Sequence, residues 1–128
     1  MKMTLLEVLN RQRTLSEFVS KKLPYKLAYA ISKNLAKLQA EAEIIDKGRI
    51  ALVEEYAVKD EDGKPVVKDN NYDLGENAAT FSAEFNKYMS TETDVDIYTV
   101  PESVLGTDDP RFDVLTVAQI VALDFMIE

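Results

Sequence analysis

The chain has no cysteine, no histidine and no tryptophan among its 128 residues. The first absence excludes disulfides, thiolate ligands and cysteine nucleophiles. The second removes the commonest general base and the commonest ligand of zinc, copper or iron. Glycine occurs only four times, too sparsely for a glycine-rich phosphate loop. No apolar run approaches the roughly 18 residues that span a bilayer. The opening residues do not lead into a signal-peptide core either, because Glu7, Asn10, Arg11 and Arg13 interrupt it. Positive charge is also short: 15 Lys and Arg against 23 Asp and Glu give a net charge of −8. Such a field repels phosphate backbones and anionic lipid, so neither nucleic acid nor a membrane is an expected partner. The expected location is intracellular.

What remains for chemistry is thin. Glu54 with Glu55, or Glu41 with Glu43, are too close in sequence to face each other on a helix, so they make poor acid/base pairs. Serines and threonines have no histidine to activate them. Asp69, Asn71 and Asp73 have the 1-3-5 spacing of a calcium loop, but position six is Leu74 and position twelve is Thr80, where glycine and glutamate are needed. The acidic clusters Asp60-Glu61-Asp62 and Asp108, Asp109, Asp113 read as solvated loops rather than magnesium sites. No catalytic residue, metal site or cofactor is expected.

The chain does contain a long seam. Ala28, Ile31, Leu35, Leu38, Ala42, Ile45, Arg49, Leu52 and Tyr56 alternate in steps of three and four, the spacing of helices that pack on helices. The helix carrying it would run from Pro24 to about Val58, roughly 50 Å at 1.5 Å per residue. A domain of this size has a diameter of roughly 36 Å. The helix must therefore bend near Gly48, or project and need a partner. Up to Glu43 the stripe is narrow; from Ile44 onward Ile44, Ile50, Ala51, Val53 and Val58 widen it, as expected where a helix enters its own core. Arg49 interrupts the seam, either to fix register or clamp an acid, or to reach water along its stem at a bend.

Thr4 with Glu7, and Thr116 with Gln119, are capping boxes that open a first helix, ending near Ser20, and a last helix packed on the core. Asp73 with Glu76 opens a third helix before Ala79, Phe81, Phe85, Tyr88 and Met89. Asp60 to Pro65 is a turn. Val95 and Ile97 alternate with acids as a half-exposed strand over 94–100, for which Val66–Val67 is the expected partner. The expected fold is a single domain over 1–128, α+β and mostly helical: a long central helix, three shorter helices and a minimal two-stranded sheet. Basic residues crowd the first third and acids the last, a polarity that favours head-to-tail contact between copies or simply marks a solvated surface.

The segments Lys22-Leu23-Pro24-Tyr25-Lys26-Leu27-Ala28-Tyr29, Arg49 to Tyr56 and Lys59 to Pro65, followed by Phe81–Tyr88, Thr93–Ile97 and Leu115–Ile127, give a layout that resembles a group of short phage and prophage accessory proteins from Gram-positive bacteria. The resemblance implies a phage setting and transfers no catalytic residue. The expected function is non-catalytic, through protein–protein interaction with a phage or host protein or a second copy. Ile31, Leu35, Leu38, Ala42 and Ile45 are the expected contact surface of a homo-oligomer in the host cytoplasm. The alternative is a small-ligand binder, such as a sponge for a host nucleotide signal, using Lys22, Tyr25, Lys26, Tyr29 and Arg49. A DNA mimic is a third reading.

Overall fold

A computed structural model describes residues 1–128. A strand, β1 (Lys2–Thr4), leads directly into α1 (Leu5–Ser16). The Thr4 capping box forms as expected: Glu7 N donates to Thr4 Oγ1 at 3.1 Å, and Thr4 N to Glu7 Oε1 at 3.2 Å. The helix ends at Ser16, short of Ser20, and the chain continues in turns in which Phe18 N still reaches the Leu15 carbonyl. Pro24 then caps α2 (Tyr25–Tyr56) from outside rather than forming its first residue.

α2 is continuous through Gly48. The glycine serves a close approach instead of a bend. Tyr88 of α3 (Ala78–Met89) crosses α2 here and donates to the Ile45 carbonyl at 2.9 Å. A Cβ on Gly48 would overlap the Tyr88 hydroxyl and lie 2.9 Å from its Cζ.

The expected pairing of 94–100 with Val66–Val67 does not occur. β4 (Glu92–Asp94) pairs antiparallel with β1, with Met3 opposite Thr93. Val67 instead belongs to a local hairpin, β2 (Val67–Lys68) with β3 (Asn71–Tyr72). Its two-residue loop, Asp69 and Asn70, has φ of 50° and 66°, the left-handed pair of a type I′ turn. Closing so short a loop costs far less entropy than recruiting a strand from residue 94. The calcium-like letters 69, 71 and 73 are the letters of this hairpin. Asp73 does not cap α3 directly; its carboxylate accepts from Gly75 N at 3.1 Å, and one 3-10 turn precedes the helix.

The fold is mostly helical α+β, with three shorter helices around α2, the last being α4 (Val117–Leu123). The core gathers Met3, Val8, Leu15 and Phe18 with Leu27, Ile31, Leu35, Leu38 and Ile45 of α2. Val95, Val100, Leu123 and Met126 cover them from the other side. Ile31, Leu35, Leu38, Ala42 and Ile45 are all buried within this one chain. The seam offered as an oligomer contact is therefore the protein's own core, occupied by α1 and by residues 95–126. Each Ile or Leu side chain among them gains roughly 1.5–3 kcal/mol from burial. The charge polarity is answered internally as well. Lys37 Nζ lies 3.6 Å from Asp96 Oδ2, and the Lys22 main-chain N–H donates to the Asp113 carboxylate at 2.8 Å while its carbonyl accepts from Asp113 N at 2.8 Å.

Candidate functional site

Three of the five candidate ligand residues come together. Tyr25, Lys26 and Tyr29, on the first turn and a half of α2, form one wall of a groove of about 580 Å³. Tyr98, Val100, Pro101, Ser103, Val104 and Glu128 supply the rest of its lining together with Thr99. Lys22 stands outside that lining, tied by its backbone to Asp113. Arg49 lies twenty residues along the helix from Tyr29, about 30 Å away, and pairs with Asp46 at 2.9 Å.

The far wall is held by the one buried polar side chain in the protein. Asn34 lies in the core and clamps the main chain of Tyr98, accepting from its N–H at 2.7 Å and donating to its carbonyl at 2.8 Å. A buried amide without partners costs about 1–3 kcal/mol, so this clamp stabilises only the conformation that places residue 98 against α2. Tyr98 then meets Tyr29 edge to face, with centroids 5.6 Å apart and planes at 81°. The Lys33 ammonium sits 4.7 Å from the Tyr98 centroid and 5.7 Å from that of Tyr29. Neither Lys26 nor Lys33 has a carboxylate within 4.0 Å. The five candidate ligand residues do not include Tyr98, Lys33 or Asn34. Lys33 is legible as Tyr29 plus four, one turn on; the role of Asn34 shows only once residue 98 is placed.

Arg49 belongs to a second groove of about 550 Å³, with Ile50, Val53, Tyr72, Leu74, Phe81 and Phe85. Tyr72 Oη donates to Glu54 Oε1 at 3.0 Å, and this bond to a carboxylate raises the Tyr72 pKa above its ordinary value. Burial does the same, more than the nearby Asp46 charge, for Tyr88.

The third unfilled surface is apolar. α4 docks through Leu123 and, just beyond it, Met126. Its outer side leaves Val117 79%, Val121 67% and Ile120 40% exposed, and Val114 in the preceding loop is 85% exposed. Val117, Ile120 and Val121 are spaced three and four apart on α4, hence on one face. The last helix, expected to pack on the core, does so only through its inner face.

No three carboxylates converge where they would hold a metal ion. The acidic clusters make turns: Asp60 Oδ1 accepts from the N–H of Asp62 and of Lys64, both at 2.9 Å, and Asp109 holds Arg111 at 2.6 Å. No helix is long and apolar enough to cross a membrane. Neither a family model, a curated protein nor a solved structure matches the chain.

Proposed function

We propose that the protein is a non-catalytic accessory protein of a phage or prophage, acting in the host cytoplasm by protein–protein contact through the outer face of α4. The observation that carries this is the exposure of Val114, Val117, Ile120 and Val121. Neighbouring exposed apolar side chains with no internal cover are what contact sites on single chains present. The phage setting rests on the resemblance of the segments around Lys22–Tyr29, Arg49–Tyr56 and Lys59–Pro65. A second copy is the first partner to test. Native mass spectrometry of the purified chain is expected to show a multiple of the chain mass, reverting to one chain in Val117→Asp with Val121→Asp while helicity is kept. A single-chain mass at every concentration removes self-association. An unchanged multiple in the double variant removes α4 as the contact.

A second reading is a small-ligand binder, such as a sponge for a host nucleotide signal. It is favoured by the grouping of Tyr25, Lys26 and Tyr29 in one groove. A ligand bound only by the native state raises the melting temperature, so a thermal-shift screen of linear and cyclic nucleotides without any rise counts against it.

A further inference from the structure

Resting on that second reading, we infer that the groove beside the start of α2 takes a planar ring carrying a single anionic group, the chemistry of a nucleoside monophosphate. Three features argue for the ring. Tyr25 and Tyr29 lie one turn apart on α2, so their rings line the same wall, and Tyr25 is 79% exposed. Tyr98 stands opposite, fixed edge-on to Tyr29 by the Asn34 clamp on its main chain. A wall held by the only buried polar side chain is pre-organised, which lowers the ordering cost of binding. The volume, about 580 Å³, falls inside the range of small-ligand sites.

Two features argue for the anion and limit its charge. Lys26 lines the groove, and the Lys33 ammonium, outside that lining, lies over the Tyr29 and Tyr98 rings; neither lysine has a carboxylate partner. In a chain of net charge −8, two cations without a carboxylate partner are free to meet an anion. Lys33 rests on the faces of Tyr29 and Tyr98, and its flexible stem lets it turn to an anion once a ring stacks there. Glu128 lines the same groove. Its carboxylate, with the negative field of the whole chain, selects against polyphosphates. The Ser103 hydroxyl on the far wall supplies a neutral hydrogen-bonding group for a sugar or ring edge.

The test is a titration of the isotopically labelled full chain by two-dimensional NMR with adenosine 5′-monophosphate, adenosine, inorganic phosphate and adenosine 5′-triphosphate as separate probes. The monophosphate is expected to move the amide signals of residues 25–33 and 98–104. Adenosine and phosphate each bind about tenfold or more weaker, because each makes only one of the two contacts. Lys26→Ala brings the monophosphate down toward adenosine, and Tyr29→Ala weakens both. Val117→Asp with Val121→Asp leaves the titration unchanged, which keeps the outcome independent of the α4 contact. Equal binding of adenosine and its monophosphate overturns the anion requirement while leaving a small-ligand groove in place. Tighter binding of the triphosphate overturns the charge limit. Shifts outside the groove, or none with any probe, sink the ligand class and the groove reading together.

Discussion

From Leu27 to Ile45, α2 contributes eight buried residues; from Asp46 to Tyr56 it contributes none. The helix is unbroken and its apolar spacing continues through both stretches, so neither backbone nor pattern separates them. What differs is the cover. The first stretch is enclosed by α1, by the extended chain from Val95 to Val100, and by Leu123 and Met126. The second lies against α3 and a short hairpin, with Ile50 left 47% exposed. A helix face is buried by what the rest of the chain can lay over it, and its apolar width is a poor guide.

The sharpest way to break this comparison is to truncate one leucine in each stretch. Leu38→Ala is expected to cost about 2–5 kcal/mol, the usual loss for emptying a closed core site. Leu52→Ala, at a half-covered position, is expected to cost less than half as much. Urea denaturation of the two variants decides it, and equal losses would erase the distinction.

Next in size are two packing effects. Asn34→Ala leaves the Tyr98 N–H and carbonyl without their partners and is expected to cost about 1–3 kcal/mol. The signals of residues 97–100 should broaden in the same variant. Gly48→Ala tests the other stretch. Helix propensity alone predicts a gain of roughly 1 kcal/mol, whereas the overlap with Tyr88 predicts a net loss of about 1–3 kcal/mol. Adding Tyr88→Leu removes the obstacle, so the glycine substitution should then stabilise or be neutral. A gain from Gly48→Ala in the unaltered background would show that Tyr88 does not close on α2.

The smallest effect is in alkali. Tyr72 and Tyr88 both hold their protons more tightly than a free tyrosine, and both pack on the second stretch. A raised native pKa means that the stabilisation is complete below pH 10 and is lost as pH rises through the native values. Amide exchange from Asp46 to Tyr56 is therefore expected to accelerate above pH 10 ahead of that from Leu27 to Ile45. Uniform acceleration along α2 would argue against it.

Much of the architecture is legible in residue patterns that act locally. Thr4 with Glu7 and Thr116 with Gln119 cap their helices because each pair needs only its own turn. The long helix after Pro24 is legible for the same reason. The use of its face is not. Narrowness up to Glu43 suggests an external seam and widening after Ile44 suggests core, and the structure has these reversed, because cover comes from residues 95–126, far along the chain. The sheet fails on the same ground: Lys2–Thr4 is too short to announce itself as a strand, and its partner lies some ninety residues away. In the groove, Tyr25, Lys26 and Tyr29 share a helix face and can be grouped from spacing alone. Tyr98 joins them through a long-range amide clamp that no local pattern encodes, and Arg49 is excluded simply by distance along a straight helix.

The pairing of β1 with β4 also sets an order in time. At roughly 5–20 residues per second, the ribosome needs on the order of 5–20 s after making Met3 before Thr93 exists to meet it. Throughout that interval α1 and α2 can find each other, while the side of the seam destined for Val95, Val100 and Met126 faces the cytosol or the exit tunnel. A chain halted before residue 95 thus displays Ile31, Leu35 and Leu38 to whatever is nearby, making the nascent protein far stickier than the finished one.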